Sequence, residues 1–195
     1  EMRRGASEVL GEIGPLASGA IPALVEALSH EDKAVHISVA EALGKMGKSA
    51  VAAVPELKRL LEHDRTQLRY TVIRTLGKIG QFQEGITETL IEKFGDMEEA
   101  IPWTTMMALK DIGVLAVPDL IEAMRDERES IRFYATMTLG EIGPPAKQAV
   151  PVLIEAVENR DVPAVAARAL GQIGSESEDV VPTLIDALND PAFLV

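Results

Sequence analysis

With 195 residues, 47% of them hydrophobic, the chain has the material for a sizeable core. Its net charge of −12, from 19 basic against 31 acidic residues, makes nucleic acid and an anionic membrane surface poor partners. The absence of cysteine excludes disulfides, thiolate catalysis and Cys-ligated zinc, and it suits a reducing, cytoplasmic compartment. No apolar run approaches the roughly 20 residues of a membrane span, and no signal-peptide pattern opens the chain, although it begins at Glu1 rather than Met, which leaves a removed leader open.

Residues 2–14 read as a short amphipathic helix ending Leu10-Gly11-Glu12-Ile13-Gly14. Gly14-Pro15 then breaks the chain, and Ile21-Pro22-Ala23-Leu24-Val25-Glu26-Ala27-Leu28 begins a second kind of segment. Both kinds recur. The first returns with endings at Leu43-Gly44-Lys45-Met46-Gly47, Leu76-Gly77-Lys78-Ile79-Gly80, Leu109-Lys110-Asp111-Ile112-Gly113, Leu139-Gly140-Glu141-Ile142-Gly143 and Leu170-Gly171-Gln172-Ile173-Gly174. The second returns from Val54-Pro55, Ile86-Thr87, Val117-Pro118, Val150-Pro151 and Val181-Pro182. A period of 30 to 33 residues between closing glycines signals stacked helical units, each burying itself against its neighbours.

The unit is therefore a helix A, opened by Pro in the first turn where its missing N–H has no intrahelical partner, followed by a turn and a helix B. Asp32, Asp64, Asp96, Asp126, Asp161 and Asp190 fall in the A-to-B turns, where they are expected to cap the B helices. The repeated glycines are expected to end helices, the last one of each B segment in the left-handed conformation. Five A–B pairs follow, at 18–47, 48–80, 81–113, 114–143 and 144–174. An unpaired B helix (2–14) and an unpaired A helix (178–189) flank them in one array covering 1–195. Neither end carries a polar capping repeat, so the expectation is a segment of a longer array, or ends that meet another chain, with end-to-end self-association as one outcome.

The combination Val/Ile-Pro-x-Leu-Ile-Glu-Ala-Leu, then Asp, then a B segment closing Ala-Leu-Gly-x-Ile-Gly resembles the HEAT repeat. More narrowly it resembles the short HEAT-like repeats named after phycobilisome lyases. The resemblance implies an all-α, right-handed α-solenoid, with A helices on the convex side and B helices lining the concave side. The family's Arg near the start of helix B stands here as Arg3, Arg69 and Arg132, and is replaced by His36, Pro102 and Pro163. An Asp–Arg ladder between repeats is expected to break at those three.

Counting each B helix from its Leu at 100° per residue, positions −8, −4, −1, 0 and +3 build the core, while −6 and −2 face away from helix A. Position −6 reads Arg4, Ile37, Tyr70, Trp103, Phe133, Ala164, and position −2 reads Glu8, Glu41, Arg74, Met107, Met137, Arg168. Three of the seven aromatic residues thus occupy one position in consecutive repeats, with Tyr134 beside Phe133. The protein-binding candidates are Ile37, Tyr70, Arg74, Trp103, Met107, Phe133, Tyr134 and Met137, an apolar patch with a polar rim. The competing reading folds the rings sideways to fill gaps between B helices. On the A helices, Glu26, Glu92, Glu122, Glu155 and Asp186 recur at one position, with Arg59 the exception, and read as a solvated face.

Catalytic readings lack a constellation. A HEAT-like enzyme class, deoxyhypusine hydroxylase, carries His-Glu pairs at −6 and −5 to hold a di-iron centre. The pairs here, Arg4-Gly5 through Ala164-Val165, include no His-Glu. His30-Glu31-Asp32 and His63-Asp64 sit in equivalent turns and fit turn chemistry better than a metal site, so no metal and no cofactor is assigned. The repeated glycines make no phosphate loop. Three functions stay open: a noncatalytic scaffold holding a protein or peptide segment on the B face, a bilin lyase-like tetrapyrrole-handling protein, and a purely structural segment of a larger repeat protein.

Overall fold

A computed structural model of the chain describes residues 1–29, 35–174 and 180–189. Among the described residues there are twelve α-helices and no strand. The chain packs as two compact units, Glu1–Ile112 and Gly113–Val195.

The first unit contains α1 (Met2–Ile13), α2 (Ile21–Ser29), α3 (His36–Met46), α4 (Val54–Arg59), α5 (Thr66–Ile79), α6 (Ile86–Ile91) and α7 (Ala100–Ile112). The odd-numbered helices are the B segments. They stack in series, α1 on α3, α3 on α5 and α5 on α7, while α2, α4 and α6 lie against α3, α5 and α7 respectively. Helices as short as the six residues of α4 and α6 are marginal alone, so packing must hold them. It does so through the expected stripe. On α5, Leu68, Val72, Thr75, Leu76 and Ile79 are all buried, and the A segments contribute Leu57, Ile86 and Leu90 to the same core.

The second unit contains α8 (Val117–Ala123), α9 (Glu129–Ile142), α10 (Val150–Glu158), α11 (Pro163–Ile173) and α12 (Val180–Asn189). Here α9 packs on α8 and α11, and α10 on α11 and α12. Pro118 and Pro151 occupy first-turn positions, as Pro55 does in the first unit.

Continuous helical stretches at Met2–Ser29 and Ala100–Ala123 are long and apolar enough to cross a membrane, by length and composition. Neither is one straight rod. Gly14 (φ 67°) and Ala17 interrupt the first, and Gly113 (φ 73°) interrupts the second.

Three local expectations need correction. The turn aspartates do not cap the B helices: no side chain caps α5, α9 or α11 at its N-cap residue. Asp64, Asp126 and Asp161 sit one or two residues too early to reach the free amides of the first turn. Asp96 and Asp126 instead fold back on their own loop, accepting from the amides of Glu98 (2.9 Å) and Arg128 (2.8 Å) as Asx turns. Asp32 and Asp190 lie outside the described residues.

The closing glycines are also not uniform. Gly14, Gly47, Gly113 and Gly143 have positive φ, whereas Gly80 (φ −59°) continues into a 3₁₀ turn and Gly174 has φ −132°. Finally, the first glycine of each Leu-Gly pair does not end a helix. Gly77 sits inside α5, and a Cβ there would lie 2.9 Å from the Cα of Ala108 on α7. The missing side chain is what lets neighbouring B helices touch backbone to backbone. In the same layer, the Thr75 hydroxyl donates to the carbonyl of Ala40 at 2.8 Å, a buried bond from α5 to α3.

Candidate protein-binding surface

Positions −6 and −2 come to the surface, because a helix packed on its A partner through the −8, −4, −1, 0 and +3 stripe must turn them the other way. In the first unit Trp103 on α7 is 54% exposed, Ile37 on α3, Tyr70 on α5 and Met107 on α7 are half-buried, and Arg74 on α5 is exposed. In the second unit Phe133 on α9 is 37% exposed, and Tyr134 and Met137 are half-buried. Phe133 meets Tyr134 edge to face, ring centroids 5.3 Å apart, a favourable arrangement of aromatic quadrupoles. Trp103 leaves about half of its surface to solvent.

The structure draws Arg74, Trp103 and Met107 to one place. They line an open groove of about 240 Å³ between α5 and α7, together with Lys78, Thr104 and Asp111. A second groove of about 200 Å³ runs between α3 and α5, lined by Glu41, Lys45, Thr71, Arg74, Thr75 and Lys78. Arg74 and Lys78 border both, so α5 presents a basic ridge between two troughs. The sequence places Lys78 and Asp111 among the mixed charges of this face, yet the candidate site drawn from −6 and −2 leaves out Lys78, Thr104 and Asp111. The signal was position +2 for Lys78 and Asp111 and position −5 for Thr104, which at 200° and 220° from the Leu point the same way as −2. Ile37 and Tyr70 share this face without lining the α5–α7 groove.

Electrostatics sort these cations. Lys45 pairs with Glu12 of α1, whose hydrogen bond raises the lysine pKa and holds the Glu12 carboxyl below its ordinary value. Arg4 pairs with Glu8 at 2.8 Å. Arg74 and Lys78 form no ion pair with any described residue. On the A segments Glu26 and Glu92 of the first unit and Glu122, Glu155 and Asp186 of the second are all exposed, with local pairs such as Glu122–Arg125 at 3.1 Å.

Among the described residues no three His, Asp or Glu side chains gather as a metal site. The Nδ1 of His63 accepts from the amide of Arg65 at 3.0 Å, the turn role its position implied, and His30 lies outside the described residues. A separate, mainly apolar groove of about 340 Å³ lies among α1, α2 and α3, bordered by Ala6, Leu10, Ala23, Leu24, Ala27 and Val39.

The Asp–Arg ladder is present at Arg69 and Arg132, and Asp32, the turn aspartate that follows Arg3, lies outside the described residues. Arg69 reaches Asp96 at 3.4 Å in the first unit, and Arg132 reaches Asp161 at 2.9 Å in the second. His36 instead packs its ring edge-on against His63, centroids 6.3 Å apart.

The family model described as HEAT repeats matches residues 1–65 and 87–163, and that described as PBS lyase HEAT-like repeat matches residues 162–190. A comparison with curated proteins finds no match. Among solved structures the chain is similar to an engineered protein, at 21% identity and a TM-score of 0.57, covering 94% of this chain and 57% of that one. It is similar to a designed armadillo repeat protein in complex with the peptide (KR)4, at 16% identity and a TM-score of 0.59, covering 97% and 91%. Kap121p bound to Nup53p is a third, at 14% identity and a TM-score of 0.54, covering 97% and 24%. This chain thus spans little more than half the length of the engineered protein. At these identities the likeness is one of fold, an all-α repeat solenoid.

Proposed function

Because this chain belongs to the HEAT repeat family, we propose that it is a noncatalytic scaffold that holds a segment of a protein partner on the outer face of its B helices. The observation that carries this is Trp103, 54% exposed on the rim of a groove with Met107 beside it and Arg74 across from it. Leu16 and Met97 are exposed too, but they sit in connecting segments rather than in a groove. Trp and Arg are the side chains that most often dominate binding energy, and Met adapts to varied partners. In the second unit Phe133, Tyr134 and Met137 offer a further apolar surface on α9. Two structural neighbours, one in complex with the peptide (KR)4 and one bound to Nup53p, support polypeptide as the class of ligand.

The reading is tested by selecting binders from a random peptide library on the immobilised chain and measuring them against Trp103→Ala and Phe133→Ala. The expectation is a loss of about 2 kcal/mol, near thirtyfold, for Trp103→Ala. Selected peptides that bind both variants as tightly as the parent chain would place the anchors elsewhere and defeat the proposal.

A further inference from the structure

We propose that the α5–α7 groove is built for an extended peptide whose side chains alternate between acidic and apolar. This rests on the scaffold reading above and adds the chemistry of the partner.

The argument begins with charge. The chain carries −12 overall, yet the wall of this groove formed by α5 is basic and uncommitted. Lys45, on α3 across the neighbouring groove, is held by Glu12, whereas Arg74 and Lys78 have no anionic partner among the described residues. Two exposed cations one helical turn apart, on an acidic protein, mark a place where incoming carboxylates find complementary charge.

The opposite wall differs. On α7, Trp103 and Met107 also stand one turn apart and are apolar, with Thr104 between them on the groove lining. Asp111, a further turn along α7, and Glu41, on the far side of the α5 ridge, are the acidic groups nearby. Both repel carboxylates from where they stand, which confines favourable acidic positions to the α5 wall.

Spacing then selects the ligand conformation. Four residues of helix advance about 6 Å. In an extended chain, residues two apart lie on one side and are separated by about 6.6 Å. Gly77 packs on Ala108, which sets Trp103, Arg74, Met107 and Lys78 in that order along the groove. A strand laid along it therefore places residues i and i+2 on Trp103 and Met107 and residues i+1 and i+3 on Arg74 and Lys78. Nucleic acid fits less well, since its affinity comes from many phosphate contacts and this groove offers it Arg74 and Lys78 alone among the described residues.

Trp103 is the only tryptophan in the chain, so its emission reports occupancy directly. The experiment titrates the full chain with (Asp-Leu)4, a block peptide of the same composition with all its aspartates ahead of all its leucines, (Ser-Leu)4, (KR)4 and an oligothymidine. Trp103 fluorescence is followed at two salt concentrations. The expected result is saturable binding of (Asp-Leu)4 that weakens with salt, with the other probes about tenfold weaker or silent. Joint replacement by Arg74→Glu and Lys78→Glu, both at exposed positions, should abolish (Asp-Leu)4 binding and create binding of (KR)4, with circular dichroism unchanged.

Equal binding of the block or Ser-Leu peptide, or preference for (KR)4 by the parent chain, overturns the alternating acidic class while leaving the scaffold reading intact. Silence of every peptide overturns both the inference and the role of Trp103 as an anchor. Preferential binding of oligothymidine overturns both and moves the ligand to another class.

Discussion

Arg132 on α9 sets its Nε 2.9 and 3.0 Å from the two carboxylate oxygens of Asp161, in the turn before α11, while its Nη1 donates to the carbonyls of Asp126 and Glu127 at 2.8 and 3.0 Å. One side chain thereby ties the turn entering its own helix to the turn entering the next. Arg132→Ala is expected to destabilise the protein by about 1–2 kcal/mol in urea unfolding, because carbonyls and a carboxylate lose a charged donor together. A double-mutant cycle with Asp161→Ala should show coupling of about 0.5–1 kcal/mol, and strictly additive effects would remove the ladder from the stability of this unit.

The glycines that follow the B-helix leucines should respond with opposite signs. Gly77→Ala drives a Cβ to within 2.8–3.1 Å of Ala108 side-chain and backbone atoms, so a cost of about 1–3 kcal/mol is expected from forcing α5 and α7 apart. Gly171→Ala meets no described atom within 4 Å at an exposed helical position and should stabilise by up to about 1 kcal/mol through helix propensity. Thermal unfolding of the two variants side by side checks the prediction, and a shift in the same direction would contradict it.

Trp103 supplies a test of the surface itself. At 54% exposure, acrylamide should quench it with roughly half the efficiency seen against the unfolded chain, and its emission should be that of a wet indole. Strong protection from the quencher in dilute solution would mean that the ring is covered.

Acid sensitivity should have one identifiable contributor. Hydrogen bonds from the Arg128 side chain and backbone hold the Asp126 carboxyl down at about 2, below its ordinary 3.8. A folded-state value below the unfolded one contributes stability above pH 4 and loses it as pH falls through the range from about 4 to about 2. Surface screening keeps the size under about 1 kcal/mol. Asp126→Asn should flatten that part of the stability profile, and an unchanged slope between pH 4 and 2 would count against the assignment.

Much of this is legible in one dimension. The Leu-Gly-x-Ile-Gly cadence and the Val-Pro openings place helices where α1 to α12 form, because a 3.6-residue period and a first-turn proline act locally. The stripe through Leu68, Val72, Thr75, Leu76 and Ile79 follows from spacing alone, and so does the outward position of Trp103. The role of the turn aspartates does not, because capping depends on a register of one or two residues, finer than composition resolves. Nor does the role of the inner glycines, whose reason lies across space, in Ala108 and its equivalents, rather than along the chain.

Helix periodicity, written into the order of apolar and small residues, determined by itself that this protein is a run of paired helices with an aromatic position turned outward. Only the tertiary structure decided that Arg74 and Lys78 stand uncommitted across a groove from Trp103 and Met107. Which cation finds a carboxylate depends on distances between neighbouring helices, and a repeat pattern carries no measure of those distances until the helices are packed.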